Sequence, residues 1–91
     1  MITLHLPDDL AREIGIAQSS KHPGADSLGT LLAAVESQAP GLLRRILEPG
    51  GQLRPHLNLF IGERVVRRRE AMVALLRDGD EVWLLRAVSG G

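Results

Sequence analysis

A chain of 91 residues has room for one domain with a modest core and leaves most of its surface exposed. Eleven basic residues against eleven acidic ones leave a formal charge of zero, with a pI near 6.8. That balance excludes a protein held to nucleic acid or a membrane surface by bulk electrostatics, and the absence of cysteine excludes disulfides, thiolate nucleophiles and cysteine-based metal sites.

Hydrophobic residues make up 44% of the chain and charged ones 24%, a mixture that folds. The only aromatic residues of the Phe, Tyr and Trp class are Phe60 and Trp83, so the core is built from Leu, Val, Ile and Ala, and the direction of those two rings becomes informative. The opening MITLHLPDDL carries no basic segment followed by a long apolar run, and no stretch approaches the ~18 apolar residues of a membrane span. The expectation is a soluble, cytoplasmic protein.

In chain order, ITLHL alternates Ile2, Leu4 and Leu6 against Thr3 and His5, the period-two pattern of a half-buried strand. Pro7-Asp8-Asp9 breaks it. Ala11 to Ala17, with Ile14 and Ile16, reads as a second strand completing a hairpin, with a helix as the alternative. Gln18 to Ala25 is polar, contains Pro23-Gly24 and reads as a loop that includes His22. Asp26 or Ser27 then offers a cap to a helix whose apolar stripe is Leu28, Leu31, Leu32, Val35 and Ala39.

Pro40-Gly41 ends that helix, and LLRRIL makes a short further turn before Glu48-Pro49-Gly50-Gly51. HLNLFIG sets Leu57, Leu59 and Ile61 against His56, Asn58 and Phe60, a clear strand. Gly62-Glu63 turns into a brief extended Val65-Val66, Ala71 to Leu76 supplies one helical turn, and Arg77-Asp78-Gly79-Asp80 is a turn. EVWLLRAV closes the set, with Val82, Leu84 and Arg86 alternating against Trp83, Leu85 and Ala87. A single amphipathic helix across a mixed sheet of four to five strands is an α+β layer arrangement, within one domain spanning 1–91.

The chain finishes on RAVSGG. Glycines offer no side chain to pack, yet they allow close backbone approach, so residues 87–91 are either a slack end or a flexible tail able to enter a narrow channel, with its terminal carboxylate as the reactive group. That carboxylate is inert until another enzyme activates it, for instance as an acyl-adenylate.

DGDEVWLLRAVSGG, with HLNLFIGERVV upstream, resembles the MoaD/ThiS family of ubiquitin-like sulfur carriers, which end on Gly-Gly after an acidic turn and a hydrophobic strand. The resemblance covers the second half well and the first half in element order. It implies the β-grasp fold, and it implies that Gly91 is adenylated by an E1-like ATP-dependent enzyme and converted to a thiocarboxylate that passes sulfur to a biosynthetic acceptor enzyme. On the same footing Gly90, Ser89 and Val88 thread into the partner. Arg86 stands where family tails often carry proline. The carrier would be no enzyme itself, would bind no cofactor, ATP being used in trans, and would be a monomer when free or the small subunit of a synthase.

If Leu57, Leu59, Ile61, Val82 and Leu84 face the helix, Phe60, Trp83 and Leu85 emerge on the open face of the sheet, where exposed aromatics mark a partner-binding patch. A register slip would instead bury Trp83. Arg64, Arg67, Arg68 and Arg69, together with Arg86, could steer an acidic partner; a solvated loop is the plainer account, and the absence of neighbouring aromatics speaks against nucleic acid. His5, His22 and His56 lack metal-ligand spacing, and Asp8-Asp9 and Asp78-Asp80 lie in turns. The competing function is a ubiquitin-like interaction module that never reacts. Length and the segment from Pro40 to Gln52 favour the molybdopterin or cysteine branches over thiamine, with a thiolated-tRNA route also open.

Overall fold

The structure, a computed structural model, describes residues 1–24 and 26–87. Five strands form one mixed sheet: β1 (Ile2–His5), β2 (Ser19–His22), β3 (Leu57–Ile61), β4 (Arg64–Val66) and β5 (Glu81–Arg86), in the order β2-β1-β5-β3-β4. β1 and β5 run parallel at the centre, and the other neighbours are antiparallel. Helix α2 (Leu28–Gln38) crosses one face of the sheet. This is the β-grasp arrangement implied by the family resemblance.

Inward residues of the central strands, Ile2, Leu4, Leu57, Leu59, Val82 and Leu84, share one buried cluster with Leu28, Leu31, Leu32 and Val35 of α2. The helical stripe and the strand alternation thus meet as their periods require. Ser27 caps α2 by accepting from the Thr30 N–H at 3.3 Å. Gly29 permits a close approach: a Cβ there would stand 2.8 Å from the carbonyl oxygen of Met72, in the 3₁₀ segment Arg68–Val73. That segment begins before the helical turn expected at Ala71.

The first half departs from expectation. Ala11 to Ala17 is not a strand; the chain forms helix α1 (Asp8–Ile14), and the partner of β1 is the polar stretch Ser19–His22 read as loop. An edge strand needs backbone pairing more than apolar side chains, so a polar segment suffices there. The signals for α1 were local: Pro7 before the first turn, Asp8 and Asp9 within it, and Gly15 in the left-handed region at φ 76° closing its end. Leu10 and Ala11 face the core.

His22 is correspondingly no loop residue. It is 9% exposed at the end of β2, with Nε2 2.7 Å from the Ser20 hydroxyl, and burial pushes its pKa down. The short further turn expected of LLRRIL forms as α3 (Leu42–Ile46). Glycine at position 41 offers no capping side chain, so Glu36 supplies one from α2: its carboxylate accepts from the N–H groups of Leu43 at 2.8 Å and Gly41 at 3.0 Å. Those two bonds hold its pKa low.

Candidate functional site: the outer sheet face and the root of the tail

Strand register builds the outer face. Ser19 pairs with His5, His5 with Trp83, Trp83 with Phe60 and Phe60 with Val65, so one residue from each of the five strands contributes to a single row across the sheet. Leu85 sits one row along, opposite Asn58. Trp83 is 37% exposed, Leu85 42% and Val65 63%, while Phe60 is half-buried. Phe60, Trp83 and Leu85 thus share the face away from α2, and the register that would bury Trp83 does not occur.

His5, read from sequence as an isolated strand residue, stacks on Trp83 with ring centroids 3.6 Å apart and planes at 13°. Nε2 lies 2.8 Å from Oε1 of Glu81 and Nδ1 lies 2.8 Å from Oγ of Ser19. With Nε2–H donating to the carboxylate, the neutral ring accepts the serine proton at Nδ1. Three strands therefore lock the imidazole against the indole, and an anchor fixed before binding loses less side-chain freedom on docking. Val65 and His5 escaped the sequence reading because the pairings Val65–Phe60 and His5–Trp83 join strands whose register no local pattern specifies. His5→Ala is expected to shift Trp83 emission to the red and raise its accessibility to acrylamide, while thermal stability changes little.

At the end of β5, the Arg86 guanidinium makes two bonds to Asp9 on α1, Nη2 to Oδ2 at 2.6 Å and Nε to Oδ1 at 3.2 Å. This fork geometry depresses the Asp9 pKa and raises that of Arg86. Both side chains are about half exposed. The Ala87 N–H donates to the His56 carbonyl at 2.7 Å, so backbone pairing runs to the last described residue. Val88, Ser89, Gly90 and Gly91 lie outside the described residues.

A depressed carboxyl pKa contributes stability above the ordinary aspartate range and loses it as pH falls through the folded value. The gap in melting temperature between the parent and Asp9→Asn is therefore expected to hold at neutral pH. It should close below the usual aspartate value of 3.8, as thermal unfolding across a pH series would record.

The arginine run divides. Arg64 starts β4 beside Ile61, whereas Arg67 follows the strand and Arg68 and Arg69 open the 3₁₀ segment. All four are exposed and make no ion pair among the described residues. Also among the described residues, no three histidine or carboxylate side chains gather as a metal site, and no helix is long and apolar enough to cross a membrane.

The model of the ThiS family matches residues 4–91. The chain belongs to the ThiS family. The sulfur carrier protein CysO of Mycobacterium tuberculosis is 29% identical over 92 residues, covering 99% of this chain and 98% of CysO; its crystal structure matches with a TM-score of 0.84 at 28% identity, over 97% of this chain and 100% of that one. The crystal structure of the Amycolatopsis orientalis BexX/CysO complex contains a chain with TM-score 0.84 and 26% identity, covering 100% of both. Small archaeal modifier protein 3 of Haloferax volcanii is 34% identical over 65 residues, 71% of this chain and 70% of its own.

Proposed function

We propose that this protein is a sulfur carrier whose reactive group is the Gly91 carboxylate. An E1-like enzyme binds the outer face and receives the tail. A carboxylate oxygen attacks the α-phosphorus of ATP, pyrophosphate leaves, and the acyl-adenylate forms. A sulfide-level sulfur nucleophile then attacks the acyl carbon and displaces AMP, leaving a thiocarboxylate. A biosynthetic enzyme takes the sulfur from it, of the molybdopterin or cysteine type in preference to thiamine.

The observation that carries this reading is the family match, which runs through Gly90-Gly91, strengthened by near-complete overlap with a protein named as a sulfur carrier. Glycines at the end of the tail suit a threaded route, because side-chain-free residues let the backbone pass close to surrounding walls. The chain's own contribution is presentation: β5, which carries Trp83 and Leu85, ends at Arg86, and the Arg86–Asp9 fork ties the end of that strand to α1.

Incubation with an activating enzyme, ATP and sulfide, followed by intact-mass measurement, is expected to show one oxygen-for-sulfur exchange at the C-terminus. Unchanged mass with every E1-like enzyme of the host would defeat the reading. Trp83→Ala should weaken binding of the activating enzyme by about 2 kcal/mol, roughly thirtyfold, as titration calorimetry would read.

A further inference from the structure

A second surface lies at the opposite end of β5 from the tail. Ile61, Arg64, Leu75, Arg77 and Asp80 line an open cleft of about 560 Å³. Asp80 immediately precedes β5 and Arg86 ends it, so the strand's own length, about 17 Å at roughly 3.3 Å per residue, separates this cleft from the root of the tail.

Leu75 is 73% exposed, yet its backbone is fixed. The Leu28 N–H donates to the Ala74 carbonyl at 2.9 Å and the Leu76 N–H to the Asp26 carbonyl at 3.1 Å, while Leu75 itself bridges to Ser27. An aliphatic side chain thus stands in water on hydrogen-bonded backbone. Arg64 and Arg77 border it, and neither makes an ion pair among the described residues. Asp80 is the one acid of the lining, and its Oδ2 already accepts from the Arg77 N–H at 2.8 Å. Two free guanidiniums therefore outweigh one locally engaged carboxylate.

We propose that this cleft is a docking site for an acidic segment of a partner protein, with carboxylates against Arg64 and Arg77 and an aliphatic side chain over Leu75. Charge complementarity selects that occupant. Nucleic acid fits less well, because the lining offers no aromatic face for a base. The site stands apart from the sulfur chemistry and does not depend on it.

The test is an amide NMR titration of the full chain with a capped pentapeptide alternating glutamate and leucine, and with its glutamine counterpart. The acidic peptide is expected to shift Arg64, Leu75 and Arg77 while leaving His5 and Trp83 in place, to weaken with added salt, and to bind at least about tenfold less tightly to Arg64→Glu/Arg77→Glu. Leu75→Ser should weaken it without altering the salt dependence. The proposal fails if millimolar peptide produces no shifts, if the glutamine peptide binds equally well, or if the double variant binds unchanged. It also fails if sedimentation shows a dimer that the double variant abolishes, which would give the cleft to a second copy. Thiocarboxylation of the double variant, followed by mass, separates this outcome from any failure of the carrier reading.

Discussion

A chain lacking Gly91 is expected to lose thiocarboxylation by at least about a hundredfold, although it still ends in a glycine carboxylate. Removing one residue retracts an extended tail by roughly 3.5 Å, and misplacing a reacting group by even about 1 Å costs on the order of 100-fold in rate. Chemistry at the terminus is conserved in this truncation; reach is not. Single-turnover formation of the acyl-adenylate, followed by AMP release and intact mass, distinguishes the two. Equal rates for the full and shortened chains would favour a ubiquitin-like module that binds without reacting. Melting temperature is the internal control and should not change with the truncation, because the buried cluster is built from residues 2–84.

The largest stability effect is expected at Leu84. Leu84 and Leu85 are adjacent on the central strand β5, yet Leu84 is 2% exposed against the core and Leu85 42% exposed on the outer face. Leu84→Ala removes side-chain atoms from a close-packed site beside Leu59 and should cost about 3 kcal/mol. For a domain of this size that lowers the melting temperature by roughly 15 °C, a substantial share of the ~5–15 kcal/mol that holds a typical fold. Leu85→Ala should change stability by no more than about 0.5 kcal/mol, and its effect should appear in partner binding. Calorimetric unfolding of the two variants side by side reads the register of β5 directly: a one-residue slip would exchange the two results.

That register also ties the two halves of the protein together. Trp83 meets His5 from the first strand on one side and Phe60 from the third on the other, so the outer face exists only once the parallel β1–β5 pair has closed across most of the chain. Glu81 and Ser19 then orient the imidazole that supports the indole. The cleft around Leu75, by contrast, is lined from the β3–β4 turn and the approach to β5, regions where Gly62 and Gly79 adopt positive φ.

Local pattern alone determined much of this. The period-two strands at Ile2, Leu57 and Val82, the 3.6-period stripe of α2 and the division of Leu84 from Leu85 follow from side-chain direction, which needs no knowledge of the partner element. The terminal Gly-Gly and the preceding strand likewise carried the family resemblance. Two things were decided only by tertiary structure. Ser19–His22 becomes a strand because β1 offers it an unpaired edge, and no apolar alternation marks that in advance; helix α1 fills the connection that was read as its hairpin partner. The His5–Trp83 stack and the Arg86–Asp9 fork each join residues more than 70 positions apart, and such contacts arise from the β1–β5 pairing and from α1 packing beside it. Sequence neighbours set the faces of each element, while distant pairing decides which faces meet.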